Sequence, residues 1–181
     1  MGWIPLHYAL RNNAPSDVVQ LLLEHHPAGA GIVDHQGCTA LHIACRHGAS
    51  LEVMKNILEA NTQSISSVDR NGCAPLHIAC RHGASLDVIK TLFAADETVL
   101  TALDHREELP IHKAYRGGRV SIVCYLVETN MPTCAVRNKE GILPIFILCG
   151  KSKANKEVPE PEYLETIWQL LLAHPETVLS N

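Results

Sequence analysis

Histidine and cysteine are the residue types here that could hold a metal or attack a substrate. The 181-residue chain has eleven of the first and seven of the second. Cys38 and His42 stand four apart, as do Cys73 and His77. That spacing imitates zinc ligands placed on one helix turn. Yet there is no CxxC pair to complete a tetrahedral set, and no GxSxG, HExxH, GxGxxG or P-loop pattern. The expectations are therefore no metal, no cofactor, no disulfide and no enzyme activity. A third set remains. Arg11, Arg46, Arg81 and Arg116 recur 35 residues apart. Arginine at a regular spacing can read carboxylates or phosphates through bidentate bonds.

The regular spacing points to the elements that position these groups. Cys38–Lys55 reads CTALHIACRHGASLEVMK and Cys73–Lys90 reads CAPLHIACRHGASLDVIK, identical at fourteen of eighteen positions. The apolar centre of the motif falls at Leu6, Leu41, Leu76, Ile111 and Ile145. Self-similarity at this period is the mark of a stacked repeat, in which no unit buries its apolar side alone.

Each unit has one internal logic. Turn residues come first: Asp34–Gly37, Asp69–Gly72, Asp104–Glu107 and Asn138–Gly141. A short helix follows, opened by Pro5, Pro75, Pro110 or Pro144 in first-turn positions. Gly48, Gly83 and Gly118 should close it as left-handed caps, with Asn13 in that place in the first copy. A second helix is expected near 51–60, 86–95, 120–129 and 162–173 from its apolar spacing. A loop of about ten residues then leads to the next turn. The expected core includes Leu41, Ala44, Leu76, Ala79, Val53, Val88, Ile57 and Leu92.

Ile4–Ala9, Thr39–Ala44 and Ala74–Ala79 resemble the T-P-L-H-x-A signature of ankyrin repeats. The resemblance implies an all-α solenoid of about five helix-turn-helix units with short turn fingers. As one domain over 1–181, its units would be approximately 1–33, 34–68, 69–103, 104–137 and 138–181. The signature Thr survives at Thr39 alone, and its loss elsewhere should weaken the local caps. The resemblance gives His7, His42, His77 and His112 a structural role, bonding backbone and tying units together. Copy five departs most and carries a polar insert at 151–161, read as a surface loop. Both ends fall near unit boundaries, and the apolar Val18, Val19, Leu21, Leu22 and Leu23 suit a segment of a longer array. The alternative is that the end copies are modest caps.

The resemblance also implies the function: binding a protein partner through a concave face made of first helices and turn tips. The candidate contacts are Arg11, Arg46, His47, Arg70, Asn71, Arg81, His82, His105, Arg106 and Arg116. His35, His47, His82 and His105 are expected to be exposed. That face reads as basic, with acids such as Glu52, Glu59, Asp87 and Glu97 elsewhere, so the partner should be acidic. Two other classes stand beside this reading: a structural spacer or scaffold segment, and a nucleic-acid binder using the arginines. A formal net charge of −4 weighs against the last. Unpaired thiols and the absence of a secretory or membrane-spanning run suit a monomer in the cytoplasm or nucleus.

Overall fold

A computed structural model describes residues 2–144. The fifth copy beyond its turn, with Cys149, the 151–161 insert, the expected 162–173 helix and His174, lies outside the described residues. Within them the chain forms eight α-helices and no strand. They are α1 (Pro5–Arg11), α2 (Ser16–His25), α3 (Ala40–His47) and α4 (Leu51–Ala60), then α5 (Pro75–His82), α6 (Leu86–Ala95), α7 (Pro110–Gly117) and α8 (Val120–Thr129). The three second helices expected from periodicity here have the bounds expected for them.

Packing follows the repeat. The first helices α1, α3, α5 and α7 contact one another in order, and so do the second helices α2, α4, α6 and α8. The interface between these layers holds the core. Leu41, Ala44, Leu76, Ala79, Val53, Val88, Ile57 and Leu92 are all buried, as expected. At the open end, Val18 and Leu21 are exposed while Val19 and Leu23 are buried. The amphipathic face of α2 is thus covered on one side alone.

Turns between helices carry their own logic. Gly48, Gly83 and Gly118 adopt the left-handed conformation at φ 70°, 77° and 69°, and Asn13 does so at 50°. Ser50 and Ser85 then cap the second helices, accepting from Val53 N and Val88 N at 3.3 and 3.4 Å. The expected loop after each second helix instead contains a 3₁₀ turn: Pro27–Gly31, Thr62–Ile65, Glu97–Leu100 and Met131–Ala135. A short 3₁₀ segment supplies i→i+3 bonds where a plain loop would leave backbone groups unpaired.

The capping expectation needs correction. Thr39 does not cap α3 through its hydroxyl; Oγ1 lies 2.9 Å from His42 Nδ1. The cap is the signature histidine. Its Nδ1 accepts from the backbone N–H three residues earlier: Thr39 to His42 at 3.2 Å, Ala74 to His77 at 3.2 Å, and Leu109 to His112 at 3.0 Å. Replacing Thr by Ala or Leu therefore leaves the main capping bond in place.

Candidate functional site

Turn fingers form the first wall of the site. In each, one acid or amide side chain organises the backbone. Asp34 Oδ1 accepts from Gln36 N and Cys38 N at 2.7 and 2.9 Å. Asp69 does the same for Asn71 and Cys73, Asp104 for Arg106 and Glu108, and Asn138 for Glu140 and Ile142. Successive fingers are then joined edge to edge. Arg70 N donates to Gln36 O, His105 N to Asn71 O, and Lys139 N to Arg106 O, each at 2.9 Å. The tips His35, Arg70, Asn71, His105 and Arg106 are exposed along this row.

The histidines lock fingers to helices across the unit boundary. His42 Nε2 donates to Cys73 O at 2.9 Å and His77 Nε2 to Glu108 O at 3.0 Å, with His7 doing so to Ile32 O at 3.1 Å. His112 faces the Ile142 carbonyl in a looser contact. With Nδ1 accepting and Nε2 donating, one neutral tautomer is selected. Burial, opposed in part by the carbonyl, pushes all four below the ordinary histidine value, His77 down to about 4. His7, His42 and His77 are tie rods between units, as the resemblance implied.

Between fingers and first helices runs a groove of about 550 Å³. Arg46, Arg81, His82 and Arg116 reach it from the helix ends, and Asn71, His105 and Arg106 from the fingers. A second hollow of about 410 Å³ is lined by Trp3, Arg11, His35, Arg46 and His47. Arg46 borders both. The groove and this hollow between them collect all the candidate residues except Arg70, which stands exposed on its finger.

Three features of the face differ from the sequence reading. First, it is not purely basic: Asp69, Asp104 and Glu108 line the groove. Second, the arginines are not equivalent. Arg11 lies over the Trp3 ring at 5.2 Å. Arg81 is exposed, Arg46 and Arg116 are half-buried, and Arg116 Nη2 donates to the buried Glu108 carboxylate. Third, His47 is half-buried, although His35, His82 and His105 are exposed as expected.

Glu108 belongs to a buried charge cluster that sequence reasoning missed. Lys113 Nζ stands 2.6 Å from Glu108 Oε2 and 2.5 Å from Asp104 Oδ2. Burial alone would raise both carboxyls, but hydrogen bonds, above all from Lys113, hold them below their usual range. The signal was in the register. Glu108 occupies the place of Cys38 and Cys73, and Lys113 that of Ile43 and Ile78. Two apolar positions changing to opposite charges in one copy predict a pair. Also unrecognised were Val33, Val68 and Leu103, exposed apolar residues one before each finger Asp.

Among the described residues no helix is long and apolar enough to cross a membrane. No curated protein matches the chain. A family model described as ankyrin repeats (3 copies) matches residues 6–103, more than half of the length. With paired helices at a 35-residue step, fingers joined edge to edge and a signature histidine bridging each unit to the next, the chain belongs to the ankyrin-repeat family.

Proposed function

We propose that the chain is a single ankyrin-repeat domain that binds a protein partner with an acidic surface along the groove between first helices and fingers. Ankyrin repeats are generally protein–protein interaction modules, and the family is typically non-enzymatic. The observation that carries the finer reading is the state of the arginines. Arg46 and Arg81 border the groove with no ion pair among the described residues, whereas the groove's acids are occupied. Asp104 and Glu108 are held by Lys113 and Arg116, and Asp69 by backbone amides. Asp69 keeps its charge, but against it stand Arg46, Arg81 and Arg106, so the charge left for a partner is positive. Val33, Val68 and Leu103 add exposed apolar surface on the fingers, suited to the apolar part of an interface. Buried neutral thiols such as Cys45 and Cys80 suit a reducing compartment, cytoplasm or nucleus.

The test is affinity capture with the chain as bait, followed by titration calorimetry with the captured protein and with Arg46→Glu and Arg81→Glu. Affinity should fall in both variants. Unchanged affinity in both would move the binding face to the second helices. A nucleic acid contacted at several phosphates would instead lose ~10³-fold or more in affinity between 50 and 200 mM salt.

A further inference from the structure

One repeat shows what its neighbours are prepared to bind. Arg46, Arg81 and Arg116 share a register position, and Cys38, Cys73 and Glu108 share another eight residues earlier. In the fourth repeat the arginine bonds a carboxylate, Glu108. In the second the same reach meets a thiol, with Arg46 Nη2 3.5 Å from Cys38 Sγ. That thiol is neutral. Burial pushes Cys38 up, and pushes Cys73 to about 12. A neutral thiol is a weak acceptor and carries no countercharge. Arg46 and Arg81 thus lack the anion that the fourth repeat supplies to Arg116 from within.

A third cation, outside the groove lining, adds to the positive field at the end of α5. Arg119 lies over the end of α5, so close that a Cβ on Gly83 would stand 2.6 Å from its Nε. Its neighbour His82 is held below the ordinary value first by burial and then by Arg46, Arg81, Arg119 and His47. The charges acting on His82 are positive from α3, α5 and the start of α8 alike. Asp69 lies in the same groove, but its Oδ1 is taken up by Asn71 N and Cys73 N.

The repeat step sets the spacing an occupant must match. Arg46 and Arg81 stand one unit apart, an inter-unit step of about 8–10 Å. The groove runs between the fingers and first helices of successive repeats, a path that an extended chain can follow. A polyproline-type chain rises ~3.1 Å per residue and returns to the same face every third residue, about 9 Å on.

We infer that Arg46 and Arg81 form a paired carboxylate site for an extended acidic segment whose acidic side chains are three residues apart. The inference rests on the protein-binding reading above and adds the conformation and spacing of what is bound. Each arginine takes one carboxylate, as Arg116 takes Glu108. The fourth repeat is closed to the segment because its arginine is already paired.

The test uses the whole chain and three end-blocked synthetic peptides read by titration calorimetry. One carries Glu at every third position with Pro and Ala between, one has the same composition with its Glu residues adjacent, and one has Gln for Glu. The spaced peptide should bind at least about tenfold more tightly than the other two. Arg81→Gln should lower its affinity at least about tenfold, while Arg137→Gln, outside the groove, should leave it unchanged. The double variant Cys73→Glu, Ile78→Lys copies the fourth repeat's pair into the third and should also abolish binding, with helix content checked by circular dichroism. Equal affinity of spaced and clustered peptides would overturn the spacing, and indifference to Arg81→Gln would overturn the site. Tighter binding of a short DNA duplex with a steep salt dependence would assign the arginines to phosphates instead. If the peptides fail but Arg81→Glu still blocks the captured partner, the protein-binding reading stands and this inference falls.

Discussion

Lys113 and Glu108 form a buried ion pair, Nζ to Oε2 2.6 Å, at register positions that are isoleucine and cysteine in the two preceding repeats. The pair is an in-chain experiment on charge burial. Breaking a buried pair leaves an uncompensated charge and costs about 3–5 kcal/mol, whereas replacing both partners with apolar groups is often neutral or stabilising. Glu108→Gln should therefore destabilise the chain more than the double variant Glu108→Cys, Lys113→Ile does. Urea unfolding checks this. A double variant less stable than either single one would show that the pair contributes net stability.

The bridging histidines predict a pH dependence. His77 is buried and neutral, with its pKa lowered by burial from 6.5 to about 4. Between these values the unfolded chain binds a proton that the folded chain refuses, so stability rises with pH. The contribution is fully present above pH 6.5 and is lost as pH falls toward 4, to a total of roughly 3 kcal/mol. Melting temperature measured from pH 7 to 4.5 should fall less steeply in His77→Gln than in the parent chain. Parallel curves would mean that His77 is not the titrating group.

Core packing gives a further prediction. Leu76 is fully buried in α5, with α3 and α7 on either side. Leu76→Ala should cost about 2–5 kcal/mol through lost transfer energy and the cavity left behind. Leu21→Ala should cost less than about 1 kcal/mol, since Leu21 is 54% exposed. Denaturant titration of both variants reads the difference, and similar losses would contradict the packing described for the two positions.

The arginines should divide when a partner is titrated. Arg81→Glu should weaken binding more than Arg81→Ala, because it removes an attraction and adds a repulsion. Arg116→Glu should act first on the fold, by placing a second carboxylate beside Glu108. Its melting temperature should drop while that of Arg81→Glu stays near the parent value. Equal melting temperatures in the two variants would show that the Arg116–Glu108 bond carries little weight.

Much of this protein is written locally. The proline and glycine positions, the finger Asp residues and the apolar spacing of residues 51–60, 86–95 and 120–129 depend on backbone preferences and helical period, which act within a few residues. Near-identical copies then reveal the stacking, since neighbours with the same face must bury it together. The same register could have disclosed Glu108 and Lys113, had the departures between copies been read as closely as the agreements. Other properties needed the folded chain. Whether Arg46, Arg81 or Arg116 keeps its charge for a partner depends on which residue eight positions back carries a carboxylate and lies within reach. That Asp69 and Glu108 face the groove, and that Arg119 crosses onto the end of α5, depends on side-chain direction across unit boundaries. Electrostatics and hydrogen bonding act through space, so a list of charges along the chain cannot say which are already neutralised; the packed repeats decide that.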